Sequence, residues 1–209
     1  MYFVKKLIKI FYAILNYKKI EKLKSKVRSI HSIWLSFEFL EFGEKSFIGN
    51  DCTLRGAKYI KIGKETSIGR HGVLTCWDKY RGKSYSPSIS IGDNVSIGEY
   101  SHITSTNAIH IGSNVLTGRR VTITDNSHGD NTWHDLNIPP IDRDLYSKGP
   151  VIIEDNVWIG DKVSIMPGVT VGKGCVIAAN SVVTRSLPAY TIAGGVPARI
   201  LKTIEYENQ

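Results

Sequence analysis

The chain has 209 residues, 42% of them hydrophobic and 22% charged, a formal net charge of +8 and three cysteines. That size and apolar content suit one domain with a core of its own. Cys52, Cys76 and Cys175 show no C-x-x-C spacing, which points to reduced thiols in a cytoplasmic protein and away from a disulfide framework.

The charge is not spread evenly. Residues 1–28 hold nine basic side chains and one acid, Glu21, so this stretch alone accounts for 9 − 1 = +8, and the remainder balances at 18 basic and 18 acidic. Phe3, Leu7, Ile10, Phe11 and Ile14 recur at helical spacing, so residues 1–40 are predicted to form a basic amphipathic helical segment. Its longest apolar run, Ile10 to Leu15, falls far below the ~20 residues of a membrane span. Lysines interrupt it and no small-residue cleavage site comes after it, so a signal peptide is not expected. The segment suits peripheral contact with an anionic membrane at the inner face, or else a cap over the rest of the domain or a contact between copies. No nucleic-acid reading motif accompanies the charge, so nucleic acid is not an expected partner.

From Phe42 onward the chain acquires a period of six. The anchors are Phe42, Ile48, Leu54 and Ile60; Ile62, Ile68 and Leu74; Ile91, Ile97, Ile103 and Ile109; Ile111, Thr117 and Ile123; and Ile153, Ile159, Ile165, Val171, Ile177 and Val183. Six fits neither an amphipathic helix nor an alternating strand. It fits a prism-shaped β-helix in which three hexapeptides make one coil and each anchor points inward. Coils start near 42, 62, 91, 111, 153 and 171, which predicts about six coils over residues 41–209. Asn94, Asn114 and Asn156 fall three residues after an anchor, where a left-handed turn residue is needed. Two insertions break the period, at 75–88 and at 124–150; a loop as long as the second usually has a function or is disordered. Trp133, His134, Pro139 and Pro140 inside it argue against disorder.

The motifs Asp155-Asn156-Val157-Trp158-Ile159-Gly160, Pro167-Gly168-Val169, Ser181-Val182-Val183-Thr184-Arg185 and Gly194-Gly195-Val196-Pro197-Ala198-Arg199 resemble those of the hexapeptide-repeat acetyltransferases. The stretches Asn126-Ser127-His128-Gly129 and Leu145-Tyr146-Ser147-Lys148-Gly149-Pro150 are similar to the members that acetylate lipopolysaccharide or capsule sugars, and the maltose and galactoside enzymes resemble the chain more distantly. The resemblance implies an all-β, left-handed parallel β-helix, a homotrimer, acetyl-CoA as co-substrate between neighbouring prisms, and a sugar or glycan acceptor. It implies no metal.

It also assigns roles. The family's base stands 17 residues beyond the anchor of an Ile-Gly-x-Asn coil, which from Ile111 falls on His128. A histidine suits the task because a sugar hydroxyl needs a base of near-neutral pKa to take its proton during attack on a thioester. Asp125 or a backbone carbonyl could orient its second ring nitrogen. By the same resemblance the backbone N–H of Asp161 stabilises the oxyanion, with Trp158 beside it, and Ala179, Thr184, Arg185 and Arg199 contact the pantetheine arm or the adenosine phosphates. One departure is plain: the asparagine with which the galactoside enzymes hold their acceptor aligns with Gly98, and Tyr100, His102, Trp77 and Asp78 are candidate replacements. Other readings of the fold are a serine or amino-sugar acetyltransferase, a γ-class zinc carbonic anhydrase and a non-catalytic assembly module. The carbonic anhydrases space a histidine pair by four residues, whereas five separate His128 from His134 and seven separate His102 from His110.

Overall fold

The computed structural model describes residues 1–205. Its body is a left-handed parallel β-helix of six coils with three flat faces. Face I stacks six parallel strands, from Glu41–Phe42 to Thr170–Val171, and face III stacks six, from Thr53–Arg55 to Val182–Val183. Face II stacks seven, from Phe47–Ile48 to Thr191–Gly195, and closes with the antiparallel strand Ala198–Thr203. Most strands are two to four residues long because the period leaves no more between corners.

The register places like on like. Ile62 lies opposite Ile91, Ile91 opposite Ile111, and Ile153 between Ile111 and Val171. On face III the column runs Leu54, Leu74, Ile103, Ile123, Ile165, Val183. Nearly every anchor is buried, each contributing about 1.5–3 kcal/mol relative to exposure. A one-residue slip would turn whole columns outward, so the register is strongly fixed.

Corners are made by single residues with positive φ. Asn94, Asn114 and Asn156 occupy the I–II corner, with φ of 55°, 59° and 60°. Asp51, His71, Tyr100, Arg120, Lys162 and Asn180 form the matching column at the II–III corner. The two extra residues in the first 20-residue interval belong to a 3₁₀ turn, Ala57–Tyr59.

The N-terminal segment is two helices, α1 (Tyr2–Ile14) and α2 (Tyr17–Ser36). The periodicity alone reads as one helix, but Asn16 breaks it by accepting the Lys19 N–H at 3.0 Å as an N-cap. The end of α2 seals the open first coil. Ser32 is buried, and its hydroxyl donates to the Ile48 carbonyl and accepts from the Ile48 N–H, both at 3.1 Å. Those groups belong to the first strand of face II, whose outer edge would otherwise lack partners. Leu35 packs on the core and Phe39 is buried, its ring 5.4 Å from that of Phe42. Leu7, Phe11 and Leu15 stay exposed. No helix among the described residues is long and apolar enough to cross a membrane.

Both insertions leave the III–I corner. In the first, Lys79–Tyr80 pairs with Lys83–Ser84. In the second, Ser127–His128 pairs antiparallel with Leu145–Tyr146, and between them lie α3 (Trp133–Leu136) and a 3₁₀ turn, Pro140–Asp142. The insertions hold each other: Tyr80 Oη donates to the Ile141 carbonyl at 2.9 Å, Arg81 pairs with Asp142 at 2.9 Å, and the Leu145 N–H donates to Tyr85 Oη at 3.0 Å.

Candidate active site

His128 stands on the first strand of the long insertion, exposed and fixed by the backbone pairing with Leu145. Its ring lies edge-on to Tyr80, 5.5 Å between centroids. Tyr80 in turn meets the Trp77 ring at 5.9 Å, and the Arg55 guanidinium lies 3.6 Å above the centre of that indole. Neither imidazole nitrogen has a hydrogen-bond partner among the described residues. The ring is therefore oriented by packing while both nitrogens stay open.

Asp125 does not orient it. Its carboxylate is fully buried and accepts from Ser105 Oγ at 2.6 Å, from the N–H groups of Thr106 and Asn107 at 2.9 Å each, and from Asn126 Nδ2 at 2.9 Å. A carboxylate buried to this degree is tolerated because every lone-pair direction meets a donor. Asp125 anchors the point where the insertion leaves the prism, and His128, three residues on, already lies outside it.

Of the four acceptor candidates, Trp77 joins the aromatic cluster beside His128. Asp78 is taken by the Tyr59 hydroxyl at 3.0 Å, with Lys58 at 3.8 Å, and this hydrogen bond first, then the lysine, holds its carboxyl below the usual range. Tyr100 lies at the II–III corner, stacked on His71 at 4.7 Å. His102 lies on face III, where partial desolvation lowers its pKa.

The other predicted residues also divide. Trp158 is on face II, half exposed, between Leu116 and Val176. The strand then turns at Gly160-Asp161 on the II–III corner. A Cβ at Gly160 would come within 2.6 Å of the Ala179 nitrogen, so the absent side chain lets consecutive coils close here. Asp161 Oδ1 accepts the Arg119 N–H at 2.8 Å. One coil further on, Ala179 offers only a methyl where Asp161 offered a carboxylate, and the Asp161 N–H has no acceptor among the described residues. Ala178 and Ala179 are exposed with nothing beyond Cβ, which leaves room for a thin chain along this corner. Thr184 and Arg185 are exposed at the III–I corner, two coils beyond the His128 insertion. Arg199 is exposed on the closing strand of face II, with Nη1 on the Ala198 carbonyl at 3.1 Å.

Within one chain, then, His128, Thr184 and Arg185 share one corner, whereas Trp158, Asp161 and Ala179 lie on face II and the next corner. Sequence reasoning missed Tyr80. The turn signal at Arg81-Gly82 could have predicted its hairpin, but nothing in the sequence links it to a ring 48 positions away. Cys76 is no nucleophile: burial pushes its thiol up to about 12. Among the described residues no group of three or more His, Cys, Asp or Glu stands where it could hold a metal ion.

Comparison with known proteins gives a consistent pattern. The family described as bacterial transferase hexapeptide (six repeats) matches residues 150–185. A putative lipopolysaccharide biosynthesis O-acetyl transferase of Escherichia coli is 41% identical over 125 residues, covering 58% of this chain and 63% of that protein. The galactoside O-acetyltransferase of the same organism is 36% identical over 126 residues, covering 58% and 57%. The chain thus spans about three fifths of the length of these two relatives. Among solved structures, a hexapeptide-repeat-containing acetyltransferase of Vibrio cholerae complexed with acetyl coenzyme A is 28% identical with a TM-score of 0.57, over 89% of this chain and 85% of that one. An N-acyltransferase of Bacillus cereus, in complex with dTDP and 3-hydroxybutyryl-CoA, is 22% identical with a TM-score of 0.69, over 84% and 88%, and shares the fold.

Proposed function

We propose that this chain belongs to the bacterial hexapeptide-repeat transferases and is an acetyl-CoA-dependent O-acetyltransferase acting on a sugar hydroxyl of a cell-surface polysaccharide or its precursor. The observation that carries the reading is His128: an exposed imidazole, held by strand pairing and by Tyr80, with both nitrogens open. A base must be within hydrogen-bond reach of an incoming hydroxyl, and this ring has no internal partner to give up first.

His128 takes the proton of the acceptor hydroxyl as its oxygen bonds to the thioester carbonyl carbon. Negative charge grows on the carbonyl oxygen, and the Asp161 N–H is a fixed donor for it. The C–S bond breaks, the CoA thiolate leaves, and the proton on His128 returns to it. No covalent enzyme intermediate is formed. The residues suit the donor: Ala178 and Ala179 leave a narrow channel for pantetheine, with Trp158 beside it, and exposed Thr184, Arg185 and Arg199 supply a hydroxyl and two forked cations for the phosphates.

His128 and Asp161 stand on different corners, so a site using both takes one corner from each of two copies. A closed ring of three chains, each lending its III–I corner to the next chain's II–III corner, satisfies every site. A homotrimer is accordingly part of the proposal. So is a station at the inner membrane surface, through the exposed apolar side chains and +8 charge of the N-terminal segment.

Subunit mixing tests this. His128→Ala and Ala179→Trp chains, each inactive alone, should on co-expression regain activity at about a quarter of the sites, as random assembly at a two-chain site requires. No recovery in mixed oligomers would mean that the site lies within one chain. Release of the CoA thiol with a sugar acceptor is the readout.

A further inference from the structure

We propose that the groove beneath α2 binds the diphosphate of a lipid-anchored glycosyl diphosphate, the carrier of the acceptor sugar; this rests on the acetyl-transfer reading above. The groove has a volume of 630 Å³ and lies between α2 and the first coils of the II–III corner. Lys24 and Arg28 line it from the helix; Asn50, Arg70, His71 and Glu99 line it from the prism. The Arg28 guanidinium has no partner among the described residues. Arg70 is held by Glu99 at 2.9 Å, and Lys24 by Glu21 at 3.0 Å. Outside residues 1–28 the chain carries 18 basic and 18 acidic residues, so positive charge gathered here is local.

The groove is continuous with the proposed chemistry. Glu99 also lines two further clefts along the same corner, of 440 and 290 Å³, and Asp161 lines both of those. From Arg70 through Glu99 and Arg119 to Asp161 is three coil steps, about 14 Å at the usual strand spacing. Along the flank, His71, Tyr100 and Arg120 stack in register, with Arg120 Cζ 5.6 Å from the Tyr100 ring centre. A ligand with its anionic end under α2 and its sugar at Asp161 fits this path.

The charge argues for a diphosphate over a carboxylate. Two guanidinium forks and an ammonium line the groove against two carboxylates, Glu99, which holds Arg70, and Asp51, 4.0 Å from His71. Arginine forks match phosphate oxygens pairwise. The lipid source is argued from the N-terminal segment: α1 precedes the helix that walls the groove across Asn16, and Leu7, Phe11, Leu15 and Leu23 along the two are exposed among lysines. A segment of that character rests at headgroup depth, where the phosphates of a lipid carrier are found.

The test uses the full chain and an Arg28→Gln/Arg70→Gln variant. Calorimetry with inorganic pyrophosphate should show affinity at least about tenfold weaker in the variant. Glu99→Gln, which frees Arg70, should strengthen it. Wild-type protein should pellet more with phosphatidylcholine vesicles carrying a polyprenyl diphosphate than with phosphatidylglycerol vesicles of equal charge. The variant should lose that excess and retain binding of acetyl-CoA. Pyrophosphate affinity within twofold in the variant would overturn the site. Equal pelleting on the two vesicle types, with tight binding of uridine diphosphate, would overturn the lipid source in favour of a soluble nucleotide. Acetyl-CoA binding in the same samples separates the two readings: pyrophosphate bound without acetyl-CoA removes the transferase reading and leaves the groove, and the reverse removes the groove alone.

Discussion

Corners II–III and III–I border the same face, yet the chain treats them in opposite ways. At II–III the turn keeps one length in every coil, with a positive-φ residue at the same place from Asp51 to Asn180. Glycines such as Gly160 let the coils touch there, so the corner offers backbone groups and side chains at fixed spacing. At III–I the chain leaves the repeat twice and builds hairpins that carry His128 and Tyr80 away from the prism, with Trp77 at the root of the first. A regular corner gives registration; an interrupted one gives reach. An acyl transfer needs both: a fixed donor at the oxyanion and a base that extends to a second molecule.

The largest effect should come from the corner with reach. His128→Ala is expected to lower turnover by about 10²–10⁴-fold with unchanged melting temperature and oligomeric state, because the ring packs outside the core. Tyr80→Phe keeps the ring against the imidazole and loses only the bond to Ile141, so its loss should be smaller, about tenfold or less. Turnover of His128→Ala within a few-fold of wild type would remove the base assignment.

Next in size is the root of that corner. Asp125→Ala strips a buried acceptor from the Ser105 hydroxyl and the Thr106 and Asn107 N–H groups. Each buried donor left unpaired costs about 1–3 kcal/mol, so a loss of about 3 kcal/mol or more is expected in urea unfolding. A loss under about 1 kcal/mol would mean that the insertion is not anchored through this carboxylate.

Smaller, and specific to binding, are Arg185→Ala and Arg199→Ala. Each should raise the apparent KM for acetyl-CoA by an amount equivalent to about 1.5–3 kcal/mol while saturated turnover changes little. An unchanged KM in both would place the phosphates elsewhere.

Smallest for the prism is removal of residues 1–28, which deletes +8 of charge but spares Ser32, Leu35 and Phe39, the residues that seal the first coil. The shortened protein should fold and turn over a soluble sugar acceptor that lacks a diphosphate as before. It should stop pelleting with anionic vesicles, where each basic residue contributes about 1 kcal/mol. High salt should do the same to the full chain, since screening shortens the field below its physiological reach of about 8 Å. Equal pelleting of the two forms would end the membrane role.

The sequence by itself determined the prism. A period of six, with an apolar anchor stacked on its counterpart one coil away, admits one register, and the columns from Ile62 to Val171 and from Leu54 to Val183 are its direct result. It also marked the two insertions, because a break in a strict period is visible without a structure. Only the tertiary structure decided which residues meet. The Tyr80 edge against His128, the burial of Asp125 under Ser105 and Asn107, and the seal of Ser32 on Ile48 join segments with no common period. The same holds for the separation of His128 and Asp161 onto different corners: the face a residue occupies is set by its count around the coil, but what a loop reaches depends on how its chain packs after leaving it.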